Sequence, residues 1–242
     1  MSKKRVGRSS IRLMIPVVAL ALAACGSEAP VADPQGQSSS GSLANAEVPI
    51  MGPEKRILAF GDSLFAGYNV DPKDSYPAKL QNALRAQGIN AQVANAGVSG
   101  DTSAAGQQRF EFTLNGQAQT PDLLVLELGG NDLLRGIAPE QTRANLASII
   151  ETAQANGIDV LLMGMRAPPN YGPEFQAEFD SIYPDLAEQY GTDLIPFWVE
   201  AVADRPDLVQ ADRIHPTEDG IELLVAETLE QIVSAIPADD AG

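Results

Sequence analysis

The chain has 242 residues, with 32 Asp and Glu against 16 Lys and Arg, and a formal net charge of −16 with its single His neutral. An apolar fraction of 44% is that of a globular protein and excludes a disordered chain. The acidic balance points away from nucleic acid, and a lone Cys rules out both an internal disulfide and a Cys-rich metal site.

At the N-terminus, Lys3, Lys4, Arg5, Arg8 and Arg12 precede an apolar run from Leu13 to Ala24, the pattern of a secretory signal over residues 1–24. The run is too short for a bilayer, which needs about 20 apolar helical residues. It closes on Leu22, Ala23, Ala24 and Cys25, which resembles the lipobox of bacterial lipoproteins. That resemblance implies acylation of Cys25 and a lipid-anchored protein of the cell envelope, facing the periplasm or the exterior. Gly26, rather than Asp, behind the cysteine implies the outer membrane in a cell that has one. Cleavage before Cys25 removes five basic and no acidic residues, leaving 11 against 32 and a net charge of −21. Such a charge works against strongly anionic substrates. Residues 25–54, which include "QSSSGS", read as a flexible tether with a reach of roughly 30 Å.

Beyond Lys55 the texture changes. Short apolar runs predict strands at Arg56–Phe60, from Ala91 ("AQVANAG"), at Leu123–Leu128, from Val160 ("VLLMGM") and from Thr192 ("TDLIPF"). Between them, Leu146, Ile149, Ile150 and Ala153 repeat at helical spacing, and a last helix from about Thr217 buries Ile221, Leu224, Val225, Thr228 and Ile232. Alternating strands and helices, with strands apolar throughout, predict a three-layer α/β/α sandwich over residues 55–238, built on a mostly five-stranded parallel sheet of flavodoxin-like type. Ligands of such sheets sit at the carboxyl ends of the strands.

Four turns at those ends carry reactive or donor groups. "GDSL" places Ser63 at a strand-to-helix turn, as a nucleophile or simply as a helix cap. "NAGVSGDTS" contains Gly97, whose bare amide could approach a ligand or merely make a turn. "GGND" supplies the Asn131 amide, a potential oxyanion donor or an ordinary turn residue. "ADRIHP" sets Asp212 three residues before His215, with Pro216 restricting the histidine backbone and suited to the first position of the last helix.

Together these motifs resemble those of the GDSL, or SGNH, hydrolases: Ser63 in "GDSL", Gly97 in "NAGVSG", Asn131 in "GGND", and His215 with Asp212 in "DRIHP". "GYNVDPKDSYPAKL" and "APPNYGPEF" are similar to the subgroup of bacterial thioesterases, lysophospholipases and arylesterases, although Phe65 stands where Thr or Ser is common. The resemblance implies Ser63 as nucleophile, His215 as general base and acid, Asp212 as its orienting carboxylate, and an oxyanion hole from the N–H groups of Ser63 and Gly97 and the Asn131 side chain. It implies no metal and no cofactor. The implied substrates are acyl esters and thioesters, with lysophospholipids favoured by a membrane location. A carbohydrate O-acetyl esterase and a non-catalytic envelope lipoprotein are the alternatives. Met165, Asn170, Tyr171 and Trp198 are candidates for an acyl groove, each equally readable as ordinary packing or surface loop.

Overall fold

A computed structural model describes residues 52–238. The expected secretory signal, Cys25 and all but the last few residues of the expected tether lie outside the described residues.

Five strands, β1 (Lys55–Gly61), β2 (Ala91–Gly97), β3 (Leu123–Leu126), β4 (Asp159–Met163) and β5 (Asp193–Ile195), form one sheet in the order β2-β1-β3-β4-β5. Every adjacent pair is parallel. The predicted third strand is shorter than its apolar run: its register with β1 ends at Phe60 and Leu126, the Glu127 N–H still donates to Phe60 O at 2.9 Å, and Leu128 lies beyond.

Side chains alternate between two cores. Ile57, Ala59, Leu123, Val125, Leu161 and Met163 face one side, and Leu58, Phe60, Leu124, Leu126, Val160 and Leu162 the other. Both faces are buried, which is why these strands read as continuous apolar runs rather than alternating ones.

In chain order the helices are α1 (Ser63–Ala66), α2 (Tyr76–Ala86), α3 (Ser103–Asn115), α4 (Gly130–Leu134), α5 (Pro139–Ala155), α6 (Pro173–Asp180), α7 (Ile182–Tyr190), α8 (Glu200–Ala203) and α9 (Glu218–Ala235). The pair α2 and α9 covers the first face, while α3, α5 and α7 cover the second. The predicted apolar stripes of α5 and α9 are buried as their spacing requires.

The sheet order reverses direction beside β1, whose successor β2 lies on one side and β3 on the other. A crevice opens at such a switch point beyond the strand ends. The turns after β1 and β3, which carry Ser63 and Asn131, flank it.

Pro216 differs from its predicted place. It precedes the N-cap Thr217, whose hydroxyl accepts the Gly220 N–H at 3.2 Å, and the helix begins only at Glu218. Pro216 instead pairs with Val209 across a small antiparallel bridge, where Gln210 N–H donates to His215 O at 2.7 Å and Thr217 N–H to Leu208 O at 2.8 Å. The proline thus closes the base of a loop that presents Asp212 and His215.

Candidate active site

Ser63 opens α1 directly after β1. Its turn is built by Asp62, which caps the helix by accepting the Leu64 N–H at 3.0 Å. The cap role weighed for Ser63 therefore belongs to its neighbour, and the serine hydroxyl is left for other work.

That hydroxyl lies 2.8 Å from His215 Nε2, although 152 residues separate the two in sequence. On the far side of the ring, Nδ1 is 2.7 Å from Asp212 Oδ2. Because a carboxylate can only accept, Nδ1 carries the proton and Nε2 is left as the base facing the hydroxyl. Asp212 Oδ1 also accepts the N–H groups of Ile214 at 3.0 Å and His215 at 3.1 Å, so one carboxylate shapes the loop and orients the ring. Partial burial pushes the Asp212 carboxyl up, but the hydrogen bonds from the ring and the two amides outweigh it and hold it at about 2. The Tyr68 ring stacks on the imidazole, centroids 4.2 Å apart.

Asn131, at the start of α4, donates its side-chain amide to Asp62 Oδ2 at 2.9 Å. One of its two amide hydrogens is committed there, and the other makes no hydrogen bond among the described residues. Asp62 itself is buried beside a second acid, Glu127, which the sequence reading passed over. Asp62 N–H donates to Glu127 Oε2 at 3.1 Å, and a Cβ on Gly61 would lie 2.6 Å from that same oxygen, so the glycine of "GDSL" makes room for the Glu127 carboxyl. Burial, and then the charge of Asp62, pushes the Glu127 carboxyl well up. Burial raises Asp62 as well, against the Leu64 N–H and the Asn131 amide, which favour its charged form. Two buried carboxyls in contact share one charge, and the donors place it on Asp62.

Gly97 does not reach the site. It ends β2, its N–H donates to Asn95 Oδ1 at 2.9 Å, and a Cβ there would press into the Ala66 N–H and the Asp62 carbonyl. Its lack of a side chain lets α1 sit against the end of β2. The glycine of "NAGVSGDTS" that lines the cavity is Gly100, at φ 87°. Gly100 N–H makes no hydrogen bond among the described residues, and its carbonyl is held by Arg135 at 2.7 Å. Asp132 fastens this side of the site, accepting the Ser103 N–H at 2.7 Å and the Thr142 hydroxyl at 3.1 Å.

Ser63, Gly100, Asn131 and His215 share a cavity of about 500 Å³ whose wall includes Leu133, Leu134, Met165, Phe197, Val199 and Val202. Of the proposed groove residues only Met165 belongs to it. Trp198 is buried against Phe65 and Tyr76 in the core, which also accounts for the phenylalanine after "GDSL"; Tyr171 stacks on Phe175 outside the cavity, and Asn170 does not line it.

A hydroxyl, an imidazole and a carboxylate in series, with amide donors opposite, fit acyl transfer through a serine. Residues 59–223 match the model of the GDSL-like Lipase/Acylhydrolase family. The chain belongs to this family. Esterase TesA of Pseudomonas aeruginosa is 42% identical over 177 residues, covering 73% of this chain and 87% of the relative. The Thioesterase 1/protease 1/lysophospholipase L1 of Escherichia coli K12 is 39% identical over 163 residues, 67% of this chain and 76% of that one. Among solved structures, AlinE4, an SGNH-hydrolase family esterase, shares 59% identity with a TM-score of 0.66 over 78% of this chain and all of its own. A crystal structure of TesA shares 40% identity with a TM-score of 0.71, over 75% and 99% of the two chains. The chain is thus a serine esterase of the GDSL/SGNH type on an α/β/α fold.

Proposed function

We propose that Ser63, His215 and Asp212 hydrolyse acyl esters and thioesters through an acyl-enzyme, and that the natural esters carry medium to long acyl chains. The relay from Ser63 through His215 to Asp212, at 2.8 and 2.7 Å, is the observation that carries this reading. The imidazole takes the Ser63 proton as the hydroxyl attacks the carbonyl, then returns it to the leaving oxygen or sulfur. A water activated by the same nitrogen releases the acid. Charge developing on the carbonyl oxygen is met by the Ser63 N–H at the start of α1, the Gly100 N–H and the Asn131 amide, with Gly100 replacing Gly97 as the second backbone donor.

The apolar wall argues for acyl chains longer than acetate, since each buried methylene contributes roughly 0.8 kcal/mol, about fourfold in kcat/KM. A series of p-nitrophenyl esters from acetate to dodecanoate tests this: kcat/KM rises with chain length until the wall is covered, and a maximum at acetate would contradict it. Names of relatives that include thioesterase and lysophospholipase support trying thioesters and lysophospholipids as well. We further propose that residues 1–24 are removed, that Cys25 is acylated, and that residues 25–54 tether the hydrolase to the envelope membrane. Cys25→Ser would then move the protein from the membrane to the soluble fraction; unchanged membrane retention would refute the anchor.

A further inference from the structure

The loop that presents Asp212 and His215 carries an arginine where its backbone calls for glycine. Arg213 has φ 61°, in the left-handed region where a Cβ is strained. The loop requires that conformation: Arg213 N–H donates to Gln210 O at 2.9 Å, and the turn so formed lets Asp212 Oδ1 collect the next two N–H groups. Glycine would adopt it without steric cost, so the backbone gives no reason for an arginine.

The reason lies in the cavity. Arg213 and Arg166 both line it, and neither guanidinium makes an ion pair or a hydrogen bond among the described residues; Arg166 lies over the Phe197 ring at 5.4 Å. The one carboxylate on the cavity wall, Asp62, is 2% exposed and committed to Leu64 and Asn131. Asp212 is taken by His215 and the two amides. Asp204, which shares a neighbouring hollow with Arg213, makes no ion pair with it. In a chain with twice as many acids as bases, a wall with two cations and no accessible acid is the reverse of the average surface.

We propose that Arg213, with Arg166, binds a phosphate group on the alcohol half of the ester, so that this serine esterase prefers acyl esters of phosphate-bearing alcohols. The inference rests on the Ser63–His215 reading given above. His215 returns its proton to the leaving oxygen, so the alcohol half lies on the histidine side of the cavity, the side on which Arg213 stands. The acyl half faces Leu133, Leu134 and Met165, where an anion would be desolvated without a partner. A guanidinium fork matches phosphate oxygens two at a time. The net negative charge of the chain acts only over a Debye length of about 8 Å, whereas the arginines act at contact.

The test compares 1-hexanoylglycerol with 1-hexanoylglycerol 3-phosphate, which differ only in the phosphate and are short enough to stay monomeric. Release of hexanoate gives kcat/KM for each, and their ratio is the readout. In Arg213→Gly and in Arg166→Gln the ratio of phosphorylated to neutral ester falls about tenfold, the scale of one charge-assisted hydrogen bond at a partly exposed site. Arg213→Gly keeps or raises Tm, because glycine is at ease at φ 61°, so the loss cannot be put down to unfolding. An unchanged ratio in both variants overturns the proposal. So does inhibition by inorganic phosphate that Arg213→Gly abolishes without any change in the ratio, which would reassign the arginines to a free anion. A wild-type protein inert towards both esters and towards p-nitrophenyl esters would overturn the esterase reading and this one with it.

Discussion

Asn131→Ala separates chemistry from architecture at one position. The Asn131 amide has two hydrogens: one is held by Asp62 Oδ2 at 2.9 Å, and the other makes no hydrogen bond among the described residues and is the one proposed to meet the oxyanion. Truncation removes both. Losing one donor from an oxyanion hole costs about 10²- to 10³-fold in kcat, or roughly 2.7–4 kcal/mol of transition-state stabilisation. Losing the bond to Asp62 strands a buried carboxylate oxygen, at about 1–3 kcal/mol of folding stability, although Leu64 N–H still serves the other oxygen. For a domain of this size each kcal/mol moves Tm by about 2–4 °C. Steady-state kcat and KM on p-nitrophenyl butyrate, together with urea unfolding, read the two effects apart. The expected result is a fall in kcat of at least about 100-fold, KM within a few-fold, and a modest loss of stability. A protein destabilised by that amount whose kcat stays within about threefold of wild type would make Asn131 a brace for Asp62 and remove it from the oxyanion hole.

Two further variants test the carboxylates. Asp212→Asn reverses the hydrogen bond that fixes the imidazole tautomer and lowers kcat by about 10³- to 10⁴-fold. Because Asp212 is held at about 2, below its ordinary 3.8, its contribution to stability is present above pH 4 and is lost as pH falls through 2. The stability gap between wild type and Asp212→Asn therefore persists at pH 5 and closes as pH falls towards 2; a gap already closed at pH 5 would contradict the pairing. Glu127 carries the opposite sign. Its carboxyl is raised, so wild type loses stability as pH climbs above 4.5, by up to about 1.4 kcal/mol per unit, until the folded-state value is passed. Glu127→Gln cannot ionise and gains on wild type with rising pH in urea unfolding; a difference independent of pH would show that Glu127 is not held as the neutral acid.

The parts of this fold visible in the sequence are those set by periodicity. A sheet covered on both faces leaves apolar runs such as Leu123–Leu126, and a helix packed along one face leaves the 3–4 spacing of Leu146, Ile149, Ile150 and Ala153. Ser63 and Asn131 stand at the helix starts that follow β1 and β3, and Asp212 with His215 in the loop before α9, so the positions that the motifs singled out meet at one end of the sheet. Gly97 and Gly100 were not distinguishable by such placement. Val98 N–H donates to Gly61 O at 3.0 Å, so the pairing of β2 with β1 runs past Gly97. The chain turns only afterwards, closing between Val98 and Asp101 with Gly100 at the left-handed position. No spacing in "NAGVSGDTS" announces where pairing stops. Glu127 did leave a signal, an acid inside the apolar run "LLVLEL", which a buried parallel strand does not accept without a partner. Its partner, Asp62, is 65 residues away in sequence, and only the register of β1 against β3 brings the two together.

In the proposed mechanism His215 makes Ser63 nucleophilic. Intact-mass and peptide analysis after reaction with a fluorophosphonate tests it most directly, comparing the wild-type protein with Ser63→Ala and His215→Ala. The expected result is a single adduct on Ser63 in wild type, none in Ser63→Ala, and labelling slowed by several orders of magnitude in folded His215→Ala. An adduct on another residue, or labelling of Ser63 at an undiminished rate without the imidazole, would contradict it.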